Sequence, residues 1–239
     1  MNLEGKKVVV IGGSSGIGLG IAQASAVAGA NVVIASRSAD KLKAATEAIN
    51  GQVQSYTVDL ADEENVGNLM TQIGALDHLL ITGGRSTFGP FLELASETAR
   101  ADFEINFWGK YNAARYGAPN VQKGGTITFI SGAYGRKPSA DAVVSAASVS
   151  ATDSLARALA VALAPIRVNS IAPGLINTPL VMPDATEQER KEFFESVTNY
   201  YPADVVGQPE DIAQVALMLM TNPFMTGATI HVDGGYTIV

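Results

Sequence analysis

Short runs of β-branched and aliphatic residues, apolar on both faces, recur along this 239-residue chain and alternate with stretches of helical periodicity. Val8–Ile11, Val32–Ala35, Val53–Val58, His78–Ile81, Thr126–Ile130, Ile166–Ala172 and Ala228–Val232 read as strands. Between them, Gly16–Ala28, Ala39–Ile49, Glu63–Ile73, Ala99–Ala118, Val143–Leu163, Glu187–Val197 and Pro209–Met220 read as helices. Strands buried on both faces and joined by crossover helices specify a parallel sheet covered on both sides, the doubly wound α/β class. No internal repeat, low-complexity tract or Pro/Gly-rich linker divides the chain, so residues 1–239 are expected to form one domain. The longest irregular piece, Pro173 to about Thr186, lies where such a fold hangs a loop over its ligand crevice, and about 173–205 is expected to serve as a lid.

The junction after the first strand carries the first chemistry. Val8–Ile11 runs into Gly12-Gly13-Ser14-Ser15-Gly16-Ile17-Gly18 and directly into an alanine-rich helix. Glycines at 12, 16 and 18 let the chain turn sharply and admit a pyrophosphate, while the helix aims its free N–H groups and positive dipole end at it. A dinucleotide is therefore the expected ligand, with Gly12, Ser14, Ser15, Gly16, Ile17 and Gly18 as candidate contacts. A glycine turn by itself also ends strands for purely structural reasons.

Composition narrows the class. With 47% hydrophobic and 16% charged residues the chain can bury a large core, yet no apolar run approaches the roughly 20 residues that span a bilayer. A net charge of −7 disfavours nucleic acid and anionic membrane surfaces as partners. The absence of cysteine excludes disulfides and thiolate chemistry. Met1-Asn2-Leu3-Glu4-Gly5 lacks the apolar core of a secretory signal, which makes a cytoplasmic location the expectation. His78 and His231 fall in strands with no second ligand at metal spacing; both are read as structural, and no metal site is expected.

Cofactor choice rests on the end of the second strand. Ala35-Ser36-Arg37-Ser38 stands about 20 residues beyond the glycine turn and carries no carboxylate, where an acid would hold the ribose 2′-hydroxyl of NAD. Arg37 offers a cationic fork and Ser36 and Ser38 two hydroxyl donors, which favours NADP(H). The alternative for Arg37 is a solvated surface cation.

Together, Gly12-x3-Gly16-x-Gly18, Asp59-Leu60, Ile81-Thr82-Gly83-Gly84, Ile105-Asn106-Phe107-Trp108-Gly109, Ile166-Arg167-Val168-Asn169, Pro173-Gly174-Leu175-Ile176-Asn177-Thr178, Gln208-Pro209-Glu210-Asp211-Ile212-Ala213 and Asp233-Gly234-Gly235 resemble the short-chain dehydrogenase/reductases, in order and over essentially the whole chain. The resemblance implies a Rossmann-type sheet of seven parallel strands. It places adenine on Asp59 and Leu60, lines the cleft with Gly83 and Gly84, and brings the Pro173–Thr178 loop, including Gly174, to the nicotinamide carboxamide through Ile176 and Thr178. Ile11 stands where the family has threonine, and Ile81-Thr82-Gly83-Gly84 replaces Asn-Asn-Ala-Gly, so local hydrogen bonding is expected to weaken.

The departure comes at the chemistry. The family's serine, tyrosine and lysine positions fall on Gly132, Ser145 and Val149; of the catalytic constellation only Asn106 survives, and Ser131 is one residue too early and faces away. A serine hydroxyl cannot replace a phenol acidified by an ammonium. General acid catalysis contributes about 10²–10⁴-fold, so ordinary ketone reduction is expected to be crippled. Hydride transfer belongs to the cofactor and can persist.

Two readings follow. One is an NADPH-dependent reductase of a substrate needing little enzymic protonation (an iminium, quinone or activated enone), or one with a substitute acid. Tyr134 and Lys137, on the Gly132–Pro138 loop, are the nearest candidates beside Ser145 and Asn106, although loop residues of this kind are commonly solvent-facing. Arg85 could orient an anionic substrate or pair on the surface. The other reading is a noncatalytic NADP(H)-binding sensor or regulatory subunit. Tyr111-Asn112-Ala113-Ala114-Arg115, on the preceding helix, is set aside as packing or interface. Phe193, Phe194, Tyr200 and Tyr201 near the lid, with Phe88, Phe91 and Trp108, make an apolar small-molecule pocket plausible, and helix packing explains Phe193, Phe194 and Val197 equally. The family resemblance implies a homodimer or homotetramer built on Ala99–Ala118 and Val143–Leu163, with the apolar Tyr236–Val239 terminus suited to a subunit contact.

Overall fold

The computed structural model describes residues 2–182 and 185–239; Pro183 and Asp184, part of the expected Pro173–Thr186 loop and lid, lie outside the described residues, as does Met1. The elements run β1 (Lys7–Ile11), α1 (Gly16–Val27), β2 (Asn31–Ser36), α2 (Ala39–Ala48), β3 (Val53–Thr57), α3 (Glu63–Ile73), β4 (Leu76–Ile81), α4 (Ser96–Phe103), α5 (Lys110–Gly117), β5 (Val121–Ile130), α6 (Val143–Ala162), β6 (Arg167–Pro173), α7 (Glu187–Val197), α8 (Pro209–Thr221) and β7 (Thr229–Val232). All seven strands are parallel, in the order β3-β2-β1-β4-β5-β6-β7. The fold is the Rossmann-type doubly wound sheet.

The alternation of β1 shows why the sheet is covered twice. Val8 and Val10 face a core with Ile21, Ile34, Leu80, Ile212 and Leu219, whereas Val9 and Ile11 face a second core with Leu69, Leu79, Ile127 and Phe129. Each such aliphatic side chain contributes about 1.5–3 kcal/mol when fully buried, so both faces of the central strand are fixed. Strand order reverses between β1 and β4, which opens the crevice where doubly wound folds bind ligands.

Two elements differ from the sequence reading. The helix expected over Ala99–Ala118 begins at Ser96, and its middle, Glu104–Gly109, is wound as π-helix between α4 and α5. Strand β5 starts at Val121, five residues early, because Gly124, at φ +86°, and Gly125 interrupt its apolar pattern without ending its pairing. Arg167 at the start of β6 is buried and donates to the carbonyls of Leu219 (2.6 Å) and Met220 (2.8 Å), capping the end of α8 with a cation. Among the described residues, no helix is long and apolar enough to cross a membrane, and no group of three His, Asp or Glu side chains could hold a metal.

Candidate functional site

The crevice at the strand reversal holds a cavity of about 510 Å³. Its floor is the turn from β1 into α1: Gly12, Ser14, Ser15, Gly16, Ile17 and Gly18 all line it. The glycines there are sterically required. Gly12 has φ +89°, and a Cβ on it would stand 2.5 Å from Thr82 Oγ1 and 2.6 Å from Gly83 N. A Cβ on Gly18 would strike the Gly12 carbonyl, so α1 packs onto the turn only without one. Ser15 is the N-cap of α1 but makes no side-chain cap bond, which leaves the free N–H groups of the first turn for an anion.

One end of the cavity is formed after β2 by Ser36, Arg37, Ser38 and Lys41. Ser38 Oγ accepts from the Lys41 N–H at 3.3 Å and caps α2, so its role is partly structural. Ser36 Oγ is buried and has no hydrogen-bond partner. Lys41 was missed by sequence reading; its place on the first turn of α2, three residues after the Ser38 cap, was the available signal. Asp59 and Leu60 line the cavity beside Val58; Asp59 Oδ1 accepts from the Ala61 N–H at 3.0 Å, and its own N–H is held by Asn65 Oδ1 at 2.7 Å.

The other end is closed by Thr82, Gly83, Gly84, Ile105, Thr178, Pro179 and Leu180. Thr82 Oγ1 donates to the Ile11 carbonyl at 2.9 Å and ties the two strand ends together. Pro173, Gly174 and Ile176 do not line this cavity. Pro173 closes β6, Gly174 donates its N–H to Val232 at 3.0 Å, and Ile176 is buried in the core and paired with Gly207. An apolar side chain that fills the core positions the loop, and Thr178 is the member of the predicted set that reaches the cavity. Arg190 of α7 secures this loop through Val181 O (2.5 Å), Thr178 O (2.7 Å) and Asn177 Oδ1 (3.2 Å).

Beneath Gly84, Asn106 is buried within the π-helical stretch; its Oδ1 accepts from the Arg85 N–H at 3.1 Å, and its Nδ2 donates to Arg85 O and Asp102 Oδ1, each at 2.8 Å. Ser145 Oγ accepts from the Thr87 N–H at 2.8 Å and lies 3.2 Å from Thr87 O and 3.3 Å from Asp102 Oδ2. Ser148 donates to Asp102 Oδ1 at 2.6 Å. Gly132 and Val149 are neighbours, since a Cβ on Gly132 would lie 3.5 Å from Val149 Cγ1. Ser131 Oγ points to Ile171 O at 3.2 Å, toward β6. Tyr134 is half-buried, edge-on to Phe88 and Tyr236. Lys137 is drawn elsewhere: its ammonium donates to Tyr236 O (3.2 Å) and Val239 O (2.5 Å) and sits 4.5 Å over the Tyr236 ring.

A family model described as enoyl-(acyl carrier protein) reductase, within the short-chain dehydrogenase/reductases, matches residues 11–237. The chain belongs to the short-chain dehydrogenase/reductase family. It is 30% identical over 253 residues to the 3-oxoacyl-(acyl-carrier-protein) reductase FabG of Thermotoga maritima, covering 100% of both chains. It is 29% identical over 249 residues to a short-chain dehydrogenase/reductase of Stachybotrys chlorohalonatus, covering 98% of this chain and 97% of the other. Among solved structures, a small-chain dehydrogenase in complex with NADPH superimposes with a TM-score of 0.84 at 33% identity, covering 98% of this chain and 99% of that one.

Against that family background, two buried charged side chains stand out that sequence reading missed. Asp102 is fully buried, and the Asn106, Ser145 and Ser148 side chains surround it. Lys110, one turn beyond Asn106, is 3% exposed and donates to the Ile130 carbonyl at 2.6 Å. Burial depresses the Lys110 pKa to about 8, against the pull of Asp153 and Asp102. The available signal was spacing: Asp102, Asn106 and Lys110 follow one another every four residues along a helical stretch.

Proposed function

We propose that this oxidoreductase-family chain binds NADP(H) and reduces a small organic substrate by hydride transfer without the phenol–ammonium pair of its relatives. The observation that carries the reading is one cavity with the glycine turn as its floor and Arg37 and Lys41, with no carboxylate, at the β2 end. The residues present fit the cofactor. Gly12 and Gly18 leave the space that side chains would fill, the uncapped start of α1 suits a pyrophosphate, and the orphaned Ser36 hydroxyl beside two cations suits a 2′-phosphate. When bound, NADPH supplies the hydride.

This chain's own residues must then bind, orient and protonate. Arg37, Lys41, Ser36 and Ser38 hold the phosphate end, Asp59 and Leu60 the adenine, and Thr178 with Gly83 and Gly84 the far end. Gly132, Ser145 and Val149 offer no acid, and Ser145 is engaged with Thr87 and Asp102. Tyr134 keeps its proton: burial first, then Tyr236 and Asp141, raise its pKa above the usual phenol value. It is the candidate donor to the substrate oxygen or nitrogen. An iminium, quinone or activated enone asks least of such a donor. Assembly as a homo-oligomer through α4–α5 and α6 is supported by Trp108, half-exposed in an aromatic cluster with Phe107 and Tyr111.

The test is calorimetric titration with NADPH and NADH, followed by NADPH consumption across ketones, quinones and imines. Binding of NADPH over NADH, with turnover on quinones or imines that Tyr134→Phe lowers, is expected. Binding with no consumption of NADPH on any substrate would point to the noncatalytic sensor instead. No saturation with NADPH at millimolar concentration would end the cofactor assignment.

A further inference from the structure

A polar interior lies between α4–α5 and α6. Asp102 and Asn106 on one side meet Ser145, Ser148 and Thr152 on the other, Lys110 follows one turn beyond Asn106, and all six are buried. Thr152 Oγ1 bonds to the carbonyls of Asn106 (2.9 Å) and Ser148 (3.0 Å), continuing the network begun at Asp102. A buried ammonium costs several kcal/mol unless it is compensated, whereas methionine or leucine would fill the same space without that cost.

We propose that Lys110 is a positioning residue for the reaction: its buried ammonium, held by the Ile130 carbonyl, orients the Asp102–Ser145–Ser148–Asn106 cluster in place of the charge that Val149 lacks. The inference rests on the oxidoreductase reading above. Three features support it. Ile130 is followed directly by Ser131 and Gly132, so the ammonium is anchored under the strand end where the family's serine would stand. The carboxylates whose charge acts on Lys110 are Asp153 from α6, fixed by the Ser170 hydroxyl of β6 at 2.7 Å, and Asp102 from α4, neither of them in ion-pair contact with it. Asp102 is hydrogen-bonded to Asn106, and both share the buried interior with Lys110, so the field of a charge change at Lys110 acts on the carboxylate that holds the Asn106 amide. A lysine depressed to about 8 also changes charge within the working range of an enzyme.

The experiment reads the cluster with and without turnover. In wild type, the Asn106 side-chain amide, assigned by NMR through its loss in Asn106→Ala, is expected to shift with a midpoint near pH 8. The shift should be flat in Lys110→Met, and its midpoint should move down in Asp153→Asn, which removes a carboxylate that favours the ammonium. An Asn106 signal that stays constant from pH 6 to 10, or that titrates unchanged in Lys110→Met, overturns the proposal even if the protein is an active reductase. In NADPH turnover, Lys110→Met should lower kcat by about 10²-fold, as for a lost positioning group, with KM for NADPH unchanged and the limb near pH 8 removed. A kcat within twofold of wild type would also overturn it. A wild type that turns over nothing defeats the oxidoreductase reading, while the amide titration still decides the role of Lys110 in the cluster.

Discussion

The Ser145 hydroxyl accepts the Thr87 N–H at 2.8 Å, so this side chain fastens the loop after β4 to α6. The bond is buried at both ends. Ser145→Ala is expected to leave the Thr87 N–H unsatisfied and to cost about 1–3 kcal/mol, read as a lower urea midpoint with an unchanged slope. Ser145→Tyr needs space that Thr87 and Asp102 occupy. A phenol there would displace the loop, with a loss of stability of about 1–3 kcal/mol from overpacking.

Arg37 and Lys41 share one end of the cavity with the unpartnered Ser36 hydroxyl. A hydrogen bond to a charged group is worth about 1.5–3 kcal/mol, so Arg37→Ala and Lys41→Ala should each weaken NADPH binding roughly 10- to 100-fold. NADH affinity should barely change. Calorimetry with both nucleotides checks this, and equal loss for the two would remove the 2′-phosphate assignment.

His78 lies inside the sheet, hydrogen-bonded to Thr126 Oγ1 at 2.9 Å, and burial lowers its pKa to about 4. The unfolded chain takes up a proton near pH 6.5 that the folded chain refuses until about pH 4. Stability from this group is therefore complete above pH 6.5 and is lost as the pH falls toward 4, by up to about 3 kcal/mol. His78→Gln should flatten that part of the stability profile. Denaturant titrations between pH 4 and 7 measure it.

Lys137 binds the C-terminal segment, over the Tyr236 ring and against two carbonyl oxygens. Lys137→Ala should cost about 1 kcal/mol and speed amide exchange at Ile238, whose N–H bonds to Gly235. Turnover should be little affected. A hundredfold loss of turnover with unchanged exchange would restore Lys137 as a proton donor.

Legibility in the sequence followed the physics of each part. The strands, the glycine turn and the Arg37 position were readable because each depends on local pattern: burial on both faces, positive φ, and a fixed distance along one β-α-β unit. Lys41 escaped because a lysine in the first turn of a helix looks like any surface cation. Asp102 and Lys110 escaped for a different reason: a charged residue in an amphipathic helix is assigned to solvent until the opposing helix is known to present Ser145, Ser148 and Thr152. The inward turn of the Ile176 side chain was not legible either, since it depends on the pairing with Gly207.

The π-helical stretch at Glu104–Gly109 has a consequence for phase. At 3.6 residues per turn, eight residues of ordinary helix would rotate Lys110 roughly 80° away from Asp102. The wider winding between them takes up most of that angle and leaves acid, amide and amine stacked along a single stripe. Rewinding this stretch as regular helix with its residue count unchanged would swing the lysine out of the interior, so the irregular turn works as the gear that meshes one half of the network with the other.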